Sequence, residues 1–160
     1  MKKKILLGLS GSVACSKAEL FVIQNSEKLQ FKFLSTHNGL NYLSKEFISS
    51  NNIYSDWSEL SGSPHIELAR WADEIIIYPA SANLISKISS GIADDLLTST
   101  ILMFSKPIYI CPAMHEEMYM NSQIQSNVLN LSKNHYIVGP RYGNLDIGDK
   151  GLGRLIEPDE

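Results

Sequence analysis

Short runs of consecutive apolar residues alternate along the chain with segments of helical periodicity. Runs of this kind, without regular polar positions, are typical of strands buried on both faces of a sheet. They predict strands over Ile5 to Leu9, Gln30 to Leu34, Glu74 to Tyr78, Pro107 to Cys111 and Tyr136 to Val138. Helical periodicity is found after Ser12, from Asn38 to Leu43, and over residues 67–71, 84–90, 94–103 and 123–131. Strands alternating with helices predict an α/β fold with a doubly wound parallel sheet, in one domain over residues 1–160.

Two segments lack either periodicity and are predicted to be irregular. The first, Ser49 to Pro64, is polar, and the second, Arg141 to Arg154, is rich in glycine. The N-terminal apolar run, Ile5 to Leu9, follows three lysines as in a secretory signal. It is interrupted by serine and glycine before it reaches the usual length of about 7–15 residues, so a first strand is the favoured interpretation.

Composition excludes several classes of function. The 160 residues include 14 Lys and Arg against 17 Asp and Glu, a formal charge of −3, which disfavours nucleic-acid and membrane partners. Cys15 and Cys111 are too few and too far apart for a disulfide framework, and predict free buried thiols in a reducing, cytoplasmic environment. The four histidines lack metal-ligand spacing, so no metal is expected.

Polar and small residues follow the predicted strands, where parallel sheets bind ligands. The segment Gly8 to Ala14 lets backbone amides approach an anion at a helix start, although a tight turn alone would look similar. It lacks both the Walker lysine and the dinucleotide glycine pattern, which favours a mononucleotide phosphate. Ser81 and Asn83 suit hydrogen bonds to a flat ring or a helix cap. His65 is a candidate base near neutral pH, or only a polar residue.

Six short motifs follow one another in an order that covers most of the chain. They are Gly8 to Ala14, His65 to Asp73, Pro79 to Ile88, Gly91 to Leu97, Pro112 to Tyr119 and Gly151 to Arg154. In residues, order and spacing they resemble the homo-oligomeric flavin-containing cysteine decarboxylases. The resemblance is greatest to the decarboxylase domain of the bifunctional coenzyme A biosynthesis proteins, which usually carry a ligase after it.

This resemblance implies a flavodoxin-like, Rossmann-like three-layer sandwich that binds FMN and assembles as a homotrimer or a multiple of trimers. It implies FMN contacts from Gly11, Ser12, Val13, Ser35, Thr36, His37, Ser81, Ala82, Asn83, Leu84 and Ala113. It also implies that His65 is catalytic and that His115 and Met118 contact substrate. Lys150 and Arg154 are candidates for a substrate phosphate, or ordinary surface charges.

The family's chemistry explains its need for flavin, because a carboxylate near a thiol-bearing carbon has no electron sink. In that family, hydride transfer from the cysteine side chain to FMN gives a thioaldehyde that provides one, and loss of carbon dioxide then gives an enethiol. Return of the hydride by the reduced flavin gives the saturated aminothiol. The resemblance thus implies decarboxylation of 4′-phospho-N-pantothenoylcysteine, a phosphorylated cysteine conjugate, to 4′-phosphopantetheine, with a separate ligase as a partner. Three other functions stay open: a peptidyl-cysteine decarboxylase, a non-catalytic flavin-binding regulatory subunit, and a more distant flavin prenyltransferase.

Two positions depart from the family pattern. His115 replaces the usual asparagine of the Pro-x-Met-Asn-x-x-Met motif, which is expected to hold the substrate carboxylate, and an imidazole could also donate to it. Ile147 stands where the glycine-rich flap commonly carries a cysteine that helps protonate the enethiol. Asp146, Asp149 or water then supplies the proton, or the reaction ends at the enethiol.

Overall fold

The computed structural model describes residues 1–160 and has a central sheet of six parallel strands. The strands are β1 (Lys3–Leu9), β2 (Leu29–Ser35), β3 (Ile53–Tyr54), β4 (Glu74–Ala80), β5 (Tyr109–Pro112) and β6 (Tyr136–Ile137). Their order across the sheet is β3-β2-β1-β4-β5-β6. The chain therefore builds one half of the sheet outward from β1 and then returns to build the other half from β4. The predicted parallel α/β fold is confirmed, with its switch point between β1 and β4.

Seven α-helices connect the strands. They are α1 (Cys15–Asn25), α2 (Lys45–Ser50), α3 (Pro64–Trp71), α4 (Ala82–Ser90), α5 (Leu96–Met103), α6 (Glu116–Tyr119) and α7 (Ser122–Ser132). None of them combines the length and the apolar character that crossing a bilayer would require.

Both faces of the sheet are covered, because neighbouring residues of one strand enter different cores. On one face, Leu6 and Ile77 pack with α3, α4, α5 and α7. On the other face, Leu7 and Tyr78 pack with α1 and α2. This two-sided burial explains why the strands have continuous apolar runs rather than alternating ones.

The glycine-rich tail forms a hairpin, so the prediction of a loop over Arg141 to Arg154 is wrong. Strands β7 (Arg141–Asn144) and β8 (Lys150–Arg154) pair antiparallel around a 3₁₀ turn at Asp146–Gly148. The hairpin docks on the segment after β5, where the Met114 amide donates to the Gly153 carbonyl over 3.0 Å. A Cβ atom at Gly153 would lie 2.0 Å from the Met114 carbonyl oxygen, so only glycine permits this approach.

Other local predictions also need correction. The polar segment Ser49 to Pro64 contains β3, which pairs with the end of β2, and a 3₁₀ turn at Trp57–Glu59. The helix predicted from Asn38 is only a 3₁₀ turn, Gly39–Tyr42. Strand β4 was predicted to end at Tyr78 but continues through Pro79 to Ala80. Pairing of Ala80 with Pro112 of β5 extends the strand past Pro79.

Candidate functional site

A cavity of about 570 Å³ opens where β1, β4 and β5 end. The turns after these three strands form its inner wall, and the turn of the β7–β8 hairpin forms the opposite wall. The predicted site residues that line it are Gly11, Ser12, Val13, Ser81, Ala82, Ala113, His115 and Met118. The structure therefore brings these eight residues together around one space, although five of them lie more than 60 residues from the first three.

The turn after β1 leaves the start of α1 open toward this cavity. Helix α1 begins directly after Ala14, and no side chain caps it. The Ser12 hydroxyl instead accepts a hydrogen bond from the Ala14 amide, at 3.2 Å. The first turn of α1 contains no acidic residue. An uncapped helix start without a carboxylate is suited to bind an anion.

The turn after β4 is held by its serine. Ser81 Oγ accepts a hydrogen bond from the Leu84 amide at 3.2 Å and so caps α4, as one of the two sequence interpretations predicted. Asn83 is exposed, and Leu84 is buried in the core beneath the helix. Neither residue lines the cavity.

Ser10 connects the turns after β1 and β4. Its fully buried hydroxyl donates to the Pro79 carbonyl at 2.7 Å and accepts from the Ser81 amide at 2.8 Å. The Ala113 amide in turn donates to the Ala80 carbonyl at 3.0 Å. These bonds join the three turns into one rigid wall.

The turn after β2 lies behind this wall. Ser35, Thr36 and His37 do not line the cavity, and His37 is exposed. The Thr36 amide bonds to the Leu9 carbonyl at 2.8 Å, and a Cβ atom at Gly11 would lie 2.5 Å from the Asn38 side chain. The turn therefore supports the Gly11 backbone from outside.

His115 has both ring nitrogens occupied. Nδ1 bonds to the Glu117 carboxylate, and Nε2 lies 2.8 Å from Asp149 Oδ2 at the end of the hairpin turn. These two carboxylates raise the pKa of His115 above its ordinary value, the Asp149 bond contributing most. A ring that donates from both nitrogens carries a positive charge.

Two cations that face the cavity share one carboxylate. The Lys17 ammonium donates to Glu157 Oε1 and to the Leu155 carbonyl, each at 2.9 Å, and the Arg154 guanidinium bonds to the same Glu157 oxygen. Lys150 lies outside the cavity lining. Lys17, in the first turn of α1, was not predicted from the sequence. Tyr42, Asn144 and Leu145 also line the cavity and were not predicted.

Ile147 and the two cysteines are relevant to proton transfer, because a cysteine commonly helps to protonate the enethiol in this family. Ile147 faces the cavity from the hairpin turn, is 83% exposed and has a φ of 54°. Both cysteines are free and buried, as predicted. Burial raises the pKa of Cys15 to about 11 and that of Cys111 to about 12. Neither thiol is suited to act as an acid or a nucleophile near neutral pH.

His65 lies on α3, away from the cavity of its own chain. Its ring packs against Trp57 with a centroid separation of 5.0 Å. Its Nδ1 atom is buried and has no hydrogen-bond partner. The structure of one chain therefore does not join His65 to the other predicted site residues.

Comparison with known sequences identifies the wider group of proteins. The flavoprotein family model matches residues 1–160. The coenzyme A biosynthesis bifunctional protein CoaBC of Vibrio cholerae is 38% identical over 172 residues, covering 99% of this chain and 42% of its own length. That of Bacillus subtilis is 35% identical over 165 residues, covering 98% and 41%. The chain spans about two-fifths of the length of these relatives.

Solved structures share the fold. A PPC decarboxylase variant in complex with pantothenoylaminoethenethiol superposes with a TM-score of 0.91 and 32% identity, covering 99% of this chain and 93% of its own. The FMN-binding protein AtHal3 has a TM-score of 0.88 and 33% identity, covering 99% and 92%. The epidermin biosynthesis protein EpiD of Staphylococcus aureus has a TM-score of 0.85 and 26% identity, covering 98% and 96%.

Proposed function

Because the chain belongs to the flavoprotein family, we propose that it is an FMN-dependent decarboxylase that converts 4′-phospho-N-pantothenoylcysteine to 4′-phosphopantetheine. The observation that carries this proposal is the cavity formed by small-residue turns after β1, β4 and β5, in a chain 38% identical to a CoaBC protein. The similar PPC decarboxylase in complex with pantothenoylaminoethenethiol supports the choice of substrate class.

The residues around the cavity fit FMN. A volume of about 570 Å³ lies within the range of cofactor sites, roughly 300–1,000 Å³. The open start of α1 suits the phosphate, and Ala82 and Ala113 leave room for a flat ring. The partly exposed side chains of Val13 and Met118 offer apolar surface to the same ring. When bound, FMN supplies the electron acceptor that a cysteine-derived carboxylate lacks.

The chain's own residues position the substrate and exclude water. The hairpin turn lies across the cavity from the α1 start, and Leu145 and Ile147 give it an apolar inner surface. Lys17 and Arg154 bring two positive charges, of which Glu157 neutralises one. The remaining charge favours an anionic substrate group. His115 can bind the substrate carboxylate only if Glu117 or Asp149 releases a ring nitrogen.

The proposed catalytic role of His65 requires a second copy of the chain. His65 does not line the cavity of its own chain, and its unpartnered Nδ1 leaves one ring nitrogen without a structural task. A trimer in which α3 of one copy approaches the cavity of the next would place the ring beside the substrate thiol. There it would hold or accept a proton.

Incubation of the purified, flavin-loaded protein with phosphopantothenoylcysteine tests the activity directly. We expect release of carbon dioxide and a product lighter by the mass of carbon dioxide. Accumulation of the enethiol, which is two hydrogen atoms lighter than 4′-phosphopantetheine, would favour the peptidyl-cysteine type of reaction. In that case the enethiol is not protonated, because Ile147 replaces the usual proton donor. Neither product, from a protein that retains FMN, would contradict the enzyme proposal and favour a regulatory role.

Replacing Ser12 by aspartate is expected to weaken FMN binding at least about tenfold. The new carboxylate would lie at the α1 start and repel the phosphate, and a separation near 4 Å makes such repulsion worth a few kcal/mol. The same charge is favourable for the helix itself, so the fold should be retained. Flavin fluorescence titration measures the affinity.

The matched control is Ser12→Asn, which has the same shape without the charge. Riboflavin, which lacks the phosphate, provides a second control because its affinity should change little in Ser12→Asp. Unchanged FMN affinity in Ser12→Asp would mean that the phosphate binds elsewhere. An equal loss in both variants would mean that charge repulsion is not the cause.

A further inference from the structure

Three hydrogen bonds attach the hairpin to residues 114–116, beside the cavity. The Met114 amide donates to the Gly153 carbonyl at 3.0 Å, and the Leu152 amide donates to Glu116 Oε1 at 2.8 Å. The third contact is the bond between His115 Nε2 and Asp149. The first two hold β8, whereas the third is the one nearest the turn, whose residues Asn144 to Ile147 face the cavity.

The third contact depends on a proton. A neutral imidazole donates from one nitrogen only, whereas the ring of His115 has a carboxylate at each nitrogen. Loss of one proton would turn one of these hydrogen bonds into a repulsive contact between a ring lone pair and a carboxylate. The His115 side chain is 29% exposed, so its ring can exchange protons with solvent.

We propose that His115, held as an imidazolium by Glu117 and Asp149, is a proton-dependent latch that fastens the turn of the β7–β8 hairpin over the cavity. The asparagine usual at this position in the family could not act in this way, because it does not titrate near neutral pH. The proposal concerns the hairpin alone and does not depend on the proposed substrate.

Most charged side chains around His115 already have partners, which supports His115 as the single titrating group of the latch. On α6, Glu117 bonds to the ring and Glu116 bonds to the Leu152 amide. The other charged side chains of the hairpin are Arg141, Asp146, Lys150 and Arg154, of which Arg141 is paired with Glu160 and Arg154 with Glu157. Helix α7, which packs against α6, has no charged side chain, and Lys17 across the cavity is paired with Glu157.

The sign of the pH dependence follows from these partners. The carboxylates raise the pKa of His115, so the latch is complete below the ordinary value of 6.5 and is lost as the pH rises through the raised value. The pKa of Glu117 is lowered, chiefly by backbone hydrogen bonding and by the His115 ring, so this carboxylate stays ionised throughout. The hairpin should therefore loosen on the alkaline side.

Hydrogen exchange of the full chain from pH 5.5 to pH 9 tests the latch, with protection corrected for the intrinsic exchange rate at each pH. We expect the protection of amides 141–154 to fall on the order of fivefold as the pH rises. The protection of the β1 and β4 amides should stay constant. A parallel NMR titration of the His115 ring should give the same midpoint.

Three variants complete the test. Asp149→Asn should lower the midpoint of the ring titration, and it should reduce hairpin protection at pH values below that midpoint. His115→Asn should abolish the pH dependence of hairpin protection. Asp146→Asn is an equal charge change in the same turn, and its amide oxygen can still accept from the Ile147 N–H, so it should keep the pH dependence of hairpin protection. Constant hairpin protection at all pH values, or a pH dependence that survives in His115→Asn, would overturn the proposal.

Discussion

Replacing His65 by alanine is expected to leave the protein yellow and almost inactive. His65 lies away from the cavity that the flavin would occupy, so FMN should bind as before. Loss of a general acid–base residue lowers turnover by about 10²–10⁴-fold. Flavin absorbance and product formation from phosphopantothenoylcysteine are measured on the same sample. Loss of FMN together with activity would mean that His65 has a structural rather than a chemical role.

A mixing experiment separates a shared site from one within a single chain. The His65→Ala variant keeps an intact cavity, and Ser12→Asp keeps an intact His65 but is expected to lose FMN. If the site lies between two copies, co-expressed chains should form some complete sites and regain activity that neither variant has alone. Mixed assemblies that remain inactive would contradict a site shared between copies.

Replacing Ser10 by alanine is expected to destabilise the protein by about 2–4 kcal/mol and to weaken FMN binding with it. The change leaves the Pro79 carbonyl and the Ser81 amide without their hydrogen-bond partner in a buried region, and each such loss costs about 1–3 kcal/mol. The turns after β1 and β4 would no longer be joined. Chemical denaturation gives the stability and flavin titration the affinity.

Ser132→Ala provides the comparison for Ser10. The Ser132 hydroxyl also donates to a backbone carbonyl, that of Leu129 at 2.7 Å, but at an exposed position where water can replace it. Its loss should change stability by less than about 1 kcal/mol. Similar small changes in both variants would show that the Ser10 bridge contributes little to the wall of the cavity.

The central strands could be predicted because short runs of consecutive apolar residues indicate burial on both faces of a sheet. Ile5 to Leu9 and Ile75 to Tyr78 contain no polar side chain except the tyrosine hydroxyl, and both lie in the middle of the sheet. By contrast, β3 is a two-residue strand in a polar segment, and it exists because Ile53 and Tyr54 pair with the end of β2. The hairpin could not be predicted because the glycines and polar residues of β7 and β8 give no apolar alternation. Its docking depends on a bond between Met114 and Gly153, which are distant in sequence.

The inner wall of the site followed from the fold class, because the ends of parallel strands meet at one edge of the sheet. Ser12 and Ser81 both follow strand ends and line the cavity, although Ser12 does not cap the helix. The carboxylate partners of His115 could not be predicted. Asp149 reaches the ring only because the hairpin folds back over the segment after β5.

Both outermost strands of the sheet, β3 and β6, are only two residues long. Each border thus presents very few free main-chain donors and acceptors to a neighbouring molecule. Such short edge strands offer little surface for pairing with a strand of another molecule, even though the interior strands are strongly apolar. Further copies are therefore expected to join through helical or loop surfaces, rather than by prolonging the sheet.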